Sequence, residues 1–472
     1  MPELTRLTVA ELTAGYRSRE LSPVEATRAA LDAIDAYDGH VNAYVLVDAD
    51  GALAAASASE ERWVRGEQLG PADGVPTAIK DIFLTSGWPT LRGTALIDEH
   101  AAWAEDAPCV ARLREGGAVF LGKTTTPEFA WKGVTDSLRH GATGNPWGAG
   151  LTAGGSSGGS AAAVGLGMAA WSVGTDGGGS VRIPAAFTGT VAHKPTYGLV
   201  PLFPASPFGT LAHAGPMVRT VTDAAGMLDV LTGFDPRDWS AMPTPTSSFT
   251  DGLEDGVEGL RVAFSPTLGF GRNDPEVESV VRAAVSVLAG AGAHVEEVDP
   301  GMADPVEAFD VLWSAGAAKV LEQYGDAALD RVDPGLAACV GRGRALTASQ
   351  FLDATAVRMD LGLRMGLFHE TYDVLLTPTV PIPAFTVGQD APEGWPSTRW
   401  TSWTPYTYPF NMTQQPALSV PCGLTTGGLP VGLQVVGPRH GDALVLRVGR
   451  AYERATSWAS AVPSIIAGER TG

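Results

Sequence analysis

An α/β fold is what the sequence predicts, on two observations. Between "GVPTAIKDIFLTSG" and "GGAVFLGKTTTPEFA" short apolar runs such as Ala118 to Leu121 alternate with helical stretches, the pattern of strands and helices in succession. The chain has 472 residues, 44% of them hydrophobic, enough for a large buried core in one big domain or two ordinary ones.

The elements follow in order. Ser22, Pro23 and Glu25 form a capping-box helix start, after which Val24, Leu31 and Ile34 fall on one helical face with Thr27 between them. Residues 159–171, "GSAAAVGLGMAAW", read as an Ala-rich helix whose N-terminus faces the preceding glycine-serine turn. The segment 232–258 is rich in Pro, Gly, Ser and Asp and is the best linker candidate. "LRVAFSP" reads as a strand, and Asp274 with Pro275 caps a helix running to about Ala289, with Gly290 as its stop. "YDVLLTPTVPIPA" is a strand ending in prolines, "ALSVPCG" and "LPVGLQVVG" are a strand pair, and 442–455 is a closing helix.

Composition excludes several functions. Lys and Arg total 32 against 52 Asp and Glu, a net charge of -20 that repels a phosphate backbone, so no nucleic-acid partner is expected. The N-terminal stretch lacks an apolar leader and no run of 18 apolar residues follows, which predicts a cytoplasmic protein with no membrane partner. Cys109, Cys339 and Cys422 are odd in number and far apart, as buried thiols are. The eight histidines show no metal-ligand spacing, so neither a metal nor another cofactor is expected.

Two glycine-serine stretches carry the chemistry, "TAGGSSGGSAAA" at 152–163 and "GTDGGGSVRIPA" at 174–185. Glycine-rich turns before a helix cradle phosphates or satisfy tight geometry, and neither stretch has the lysine of a P-loop. "GSSGG" at 155–159 matches the G-x-S-x-G elbow of serine hydrolases, which makes Ser157 a nominal nucleophile with His213 or His440 to complete it. Alternatively a lysine held neutral by burial activates a serine, and Lys80, following the strand-like "VPTAI", is the candidate.

Taken together these segments resemble the amidase signature family. "GVPTAIKDIF", "NPW" at 145–147, "AGGSSGGSAAAVGLG", "GTDGGGSVRIPA", "KPTYGLVP", "GPMVRTVTDAA", "PALSVPCG" and "LPVGLQVVG" occur in the family's order across about 75–440. The resemblance implies a large twisted mixed β-sheet surrounded by α-helices. It implies one domain over 1–472, with an N-terminal helical segment to about 70, a signature core over about 75–230, and a less typical insert and C-terminal part over about 235–472. It also implies Ser180 as nucleophile, Ser156 after a cis bond from Gly155 as bridging serine, and Lys80 as ultimate base. The backbone N–H groups of Gly177, Gly178, Gly179 and Ser180 would form the oxyanion hole, where one donor is worth ~3 kcal/mol in other enzymes. Thr175 and Asp176 match positions that brace this turn, and Arg182 is placed to pair with Asp176. Two departures stand out: Gly177 where many members carry a β-branched residue, and His193 where an apolar residue is usual.

Hydrolysis of an amide follows from these placements, on a small-molecule amide or carbamate, by a monomer or homodimer. The segment 394–410 concentrates Trp395, Trp400, Trp403, Tyr406, Tyr408 and Phe410, a candidate lining for an aryl substrate or else core packed under a loop. The competing readings are the amidase subunit of a tRNA-dependent amidotransferase and a non-catalytic nucleotide-binding protein.

Overall fold

The computed structural model describes residues 4–458 and 461–469. An eleven-stranded mixed sheet forms its centre. In spatial order the strands are Tyr44–Val47, Val119–Thr124, Pro76–Lys80, Trp171–Asp176, His213–Val218, Val191–Lys194, Ala417–Leu424, Pro430–Val436, Val374–Pro378, Arg261–Phe264 and His294–Glu297. Pro76–Lys80 runs parallel to both of its neighbours, and pairing is antiparallel from Trp171–Asp176 across to Val374–Pro378. The parallel strands need crossovers, which the helices Pro108–Glu115 and Gly158–Gly165 supply.

Alternation along the strands divides the apolar core between two faces. Val374, Leu376, Val262, Phe264, Leu418 and Val435 join the cluster that holds the helices Val221–Leu231, Pro275–Gly290 and Asp442–Arg454. Leu375, Ala263, Ala417 and Val436 face the opposite way, onto the helices Val306–Glu322, Pro334–Arg344 and Ala348–Thr371.

Local signals placed most elements. Ser22 caps Pro23–Val41 through the expected box with Glu25, although its buried face runs through Ala26, Ala30, Ala33 and Tyr37, with Val24 and Leu31 only half-buried. Asp274 accepts from the Glu276 N–H at 2.8 Å and opens Pro275–Gly290. The helix expected over 159–171 is shorter, Gly158–Gly165. Gly167 at φ 74° reverses the chain there, and Trp171 already begins a strand. The segment 232–258 has neither helix nor strand, yet it buries Phe249, Leu253 and Val257 in the first cluster. Cys109 and Cys339 are buried thiols and Cys422 a half-buried one. Among the described residues no helix is long and apolar enough to cross a membrane.

Candidate active site

Lys80 ends its strand, and the parallel register that pairs Ile79 with Val173 sets it beside the end of Trp171–Asp176. Ligand sites in α/β sheets gather at such C-terminal strand ends. Lys80 Nζ lies 2.7 Å from Ser156 Oγ, 2.8 Å from Ser157 Oγ and 2.8 Å from Thr175 Oγ1. The side chain is fully buried, and burial pushes its amine well below the ordinary lysine value, against the pull of the Asp176 charge. A neutral amine has two hydrogens and one lone pair. Ser157 Oγ donates to the Thr175 carbonyl at 3.2 Å and so accepts from Lys80, which leaves Ser156 or Thr175 to donate to the lone pair. Lys123 and Lys194 are equally buried but are engaged elsewhere, with Asp81 and with the Gln415 carbonyl respectively.

Ser156 follows a cis peptide bond from Gly155, and a Cβ on Gly155 would fall 2.4 Å from the Val134 carbonyl carbon, so only glycine fits. Ser156, Thr175, Gly177 and Ser180 line one cavity of about 630 Å³. Ser180 is 5% exposed there, with its hydroxyl bonded to no other described residue. The elbow reading of Ser157 fails on geometry: Ser157 is absent from the cavity wall, and its hydroxyl is held by Lys80 and the Thr175 carbonyl. His213 Nδ1 meets the carbonyls of Leu211 and Asp176, and His440 reaches Thr196 through its backbone. His193 contacts Asp442 at 3.0 Å.

The turn after the strand is fixed by a buried ion pair. Arg182 donates from Nε to Asp176 Oδ2 at 3.0 Å and from a terminal nitrogen to Oδ1 at 2.9 Å, both residues being fully buried. Burial alone would raise the Asp176 carboxyl, but the Arg182 charge and hydrogen bonds outweigh it and hold the group below the usual carboxylate range. Three partners that sequence reasoning missed complete the network. Arg182 also donates to Gln434 Oε1 at 2.7 Å, Asn411 Oδ1 at 2.6 Å and the Thr407 carbonyl at 3.0 Å. The available signal was Gln434, a polar residue inside the otherwise apolar "VGLQVV".

Accounting for each peptide group sorts the expected oxyanion donors. Asn411 Nδ2 donates to the Asp176 carbonyl at 2.9 Å, Thr407 Oγ1 to that of Gly178 at 2.7 Å, and the Ile183 N–H to that of Gly179 at 2.7 Å. The Gly179 N–H is spent on Asp176 Oδ1 at 2.7 Å, so Gly179 is not a donor to substrate. Its role is steric, because at φ 129° a Cβ would lie 2.5 Å from Thr407 Oγ1. The N–H groups of Gly177, Gly178 and Ser180 are bonded to no described residue.

Gly177, the departure from the common pattern, is explained by Trp313. A Cβ at 177 would lie 2.8 Å from Trp313 Cζ3 and 3.1 Å from Cη2. That indole is pinned by its Nε1 donating to the Trp131 carbonyl at 2.9 Å and by stacking on Phe208 at 4.0 Å between ring centroids. The aromatic segment 394–410 does not line the cavity. Trp403 stacks on Phe187 and donates to the Asp390 carbonyl, Tyr406 donates to Asn273, and Trp400 packs behind Gly178 against Phe309 and Trp313. Trp395 borders a separate cavity of about 760 Å³. Each of Trp395, Trp403 and Tyr406 finds a partner for its polar tip, so their rings pack into structure rather than into the site. Phe83, Phe129, Phe203, Phe208 and Trp313 line the cavity instead.

Comparison with known proteins identifies the family of the chain. The amidase family model matches residues 25–446. An acylamidase from Rhodococcus erythropolis is 37% identical over 470 residues, 97% of either chain. A glutamyl-tRNA(Gln) amidotransferase subunit from Geobacter metallireducens is 35% identical over 487 residues, 97% of this chain and 98% of its own. Among solved structures, a bacterial aryl acylamidase of the amidase signature family superposes with a TM-score of 0.89 at 31% identity, over 96% of this chain and 97% of that one. A 6-aminohexanoate cyclic dimer hydrolase does so at 0.89 and 28%, over 98% and 99%. With the family's model spanning most of the sequence and the fold shared end to end, the chain belongs to the amidase signature family and is a hydrolase of amide C–N bonds.

Proposed function

We propose that this chain hydrolyses small-molecule amides on its own, with Ser180 as nucleophile, Ser156 as proton relay and Lys80 as base. The observation that supports this best is the 2.7 Å contact between Ser156 Oγ and a lysine whose amine burial pushes well below its ordinary value. Lys80 Nζ takes the Ser156 proton while Ser156 Oγ takes that of Ser180, and Ser180 Oγ bonds the substrate carbonyl carbon as its π pair moves to oxygen. The N–H groups of Gly177, Gly178 and Ser180 receive that oxyanion. The C–N bond then breaks as the relay hands a proton to the departing amine nitrogen, and water releases the acyl group from Ser180 by the same path. The resting site has no Ser180–Ser156 hydrogen bond to offer, but such contacts commonly tighten only with substrate bound. Thr175, Asp176 and Arg182 position the turn. We read the chain as one domain, since strands from both sides of 232–258 enter one sheet, and place it in the cytoplasm, which suits three unpaired thiols.

A panel of amides, anilides and carbamates tests this with a fluorophosphonate label. Ser180→Ala should abolish turnover and labelling, and Lys80→Ala should cripple turnover most near neutral pH; an active Ser180→Ala protein would refute the assignment. A second reading, the amidase subunit of a tRNA-dependent amidotransferase, is favoured by the 35% identity of the Geobacter relative. Turnover of simple amides by the purified lone chain argues against it, and activity only with added partner chains argues for it.

A further inference from the structure

One cation in the cavity wall has no counterpart. Arg92 lines the same cavity as Ser156 and Ser180. Among the described residues no acceptor bonds its guanidinium, and its Nε is fully buried without a partner. The nearby carboxylate, Asp81, is buried and committed to Lys123 at 3.2 Å and to the Leu91 N–H. Among the described residues Glu322 is the one acid in the cavity lining, and it pairs with Lys319 at the exposed rim. The lining therefore carries two cations and one anion, in a chain whose net charge is -20.

Backbone geometry shows that Arg92 is held there at a cost. It adopts φ 52°, in the left-handed region that a long side chain avoids, and the two residues facing it, Phe129 and Ala130, adopt φ 50° and 60°. All three line the cavity. The Arg92 N–H donates to the Asp81 carbonyl at 3.1 Å and its carbonyl accepts from the Phe129 N–H at 2.8 Å, so the two strained segments lock each other. Next to it, a Cβ on Gly93 would lie 2.5 Å from the Thr126 carbonyl oxygen, which fixes the approach of the two segments. Strain of this kind persists where the surroundings over-determine it and clusters at ligand sites.

We propose that Arg92 anchors a carboxylate on the substrate, so that the preferred substrates are amides bearing a carboxylate group. This rests on the amidase reading above. A guanidinium presents a planar fork that matches a carboxylate with two parallel hydrogen bonds, and the same cavity offers the apolar side chains of Phe83, Phe129 and Leu202 to the rest of a substrate. One cation balances one negative charge. The second cation of the lining, Lys319, is already balanced by Glu322 at the rim.

The test uses near-isosteric pairs in which a methyl ketone replaces the carboxylate: succinanilate against levulinanilide on the acyl side, and 4-acetamidobenzoate against 4-acetamidoacetophenone on the amine side. In the wild-type enzyme kcat/KM should favour the carboxylate in one pair by roughly 10- to 150-fold, the worth of a hydrogen bond to a charged group, and the favoured pair tells which side of the scissile bond faces Arg92. Arg92→Gln should bring that ratio close to one, mainly through KM, and Arg92→Lys should restore part of it. Arg92→Asn removes the charge with a residue that tolerates the left-handed backbone, and should behave as Arg92→Gln does. No charge preference in either wild-type pair, or equal losses on both members of a pair in all three variants, would overturn the proposal. Calorimetric Kd values for the same ligands on Ser180→Ala protein separate the two readings. A carboxylate preference that Arg92→Gln removes there sustains the anchor even if no amide is turned over, and its absence there beside intact amide turnover defeats the anchor alone.

Discussion

Gly177→Ala tests the account of the oxyanion turn with the smallest perturbation the site allows. The added methyl would sit 2.8 Å from Trp313 Cζ3 and 3.1 Å from Cη2. Ordinary contact begins near 3.4 Å, so the indole edge or the turn must give by about 0.6 Å. The ring has little room, because its Nε1 is bonded to the Trp131 carbonyl at 2.9 Å and it stacks between the Phe208 and Phe309 contacts at 4.0 and 5.4 Å. Overpacking of this kind costs about 1–3 kcal/mol. If the turn absorbs it, the N–H groups at 177 and 178 are misaimed and kcat falls roughly 5- to 150-fold; if the ring absorbs it, the loss appears in the urea midpoint instead. The measurement is kcat, KM and urea unfolding of Gly177→Ala in the wild-type and Trp313→Leu backgrounds. Shortening the indole should recover most of the loss. The steric argument is refuted if Gly177→Ala matches wild type in both assays, or if its loss is the same with leucine at 313.

Two further outcomes follow from the buried charges. Burial holds folded Lys80 below its unfolded value of about 10.4, so between those values the unfolded chain binds a proton that the folded chain lacks. Stability from this group therefore rises with pH, by about 1.4 kcal/mol per unit. The stability of wild type relative to Lys80→Met should climb with pH on the approach to about pH 10 in urea titrations, and a flat difference would show that Lys80 keeps its proton. Arg182→Met leaves Asp176 buried without its cation and should destabilise the protein by about 3–5 kcal/mol, read as a fall in the urea midpoint. An Arg182→Met protein as stable as wild type would show that the pair does not hold the turn.

Much of the site was legible because its chemistry is written in local runs. The strand ending at Lys80, the glycine turn around Ser156 and the turn before Ser180 are contiguous segments whose residue types have few other uses. The Asp176–Arg182 pair was legible for the same reason, six positions apart on one turn. What escaped was set by tertiary contact. That Gly179 gives its N–H to Asp176 depends on where the carboxylate points, and that Trp403 and Tyr406 pack away from the site depends on Phe187 and Asn273, remote in sequence. An aromatic-rich loop reads the same whether its rings face a ligand or the core. Trp313, Phe208 and Arg92 reach the cavity from three separate segments with no shared motif, and the left-handed backbone at Arg92, Phe129 and Ala130 has no glycine to announce it. The helix over 159–171 was overextended because alanine propensity continues past Gly167, where tertiary packing turns the chain.

The network around Arg182 also bears on when the enzyme becomes an enzyme. Its bonds to Thr407 and Gln434 span 225 and 252 positions of the chain, and the Asn411 bonds to Asp176 span 235. Contacts of such long sequence separation form late, since their loop-closure entropy is repaid only once both ends are structured. Lys80, Ser156 and Ser180 all leave the ribosome more than two hundred residues before Thr407, Asn411 and Gln434. A nascent chain thus carries the three residues of the proposed relay long before the contacts that fix the turn beside them can form.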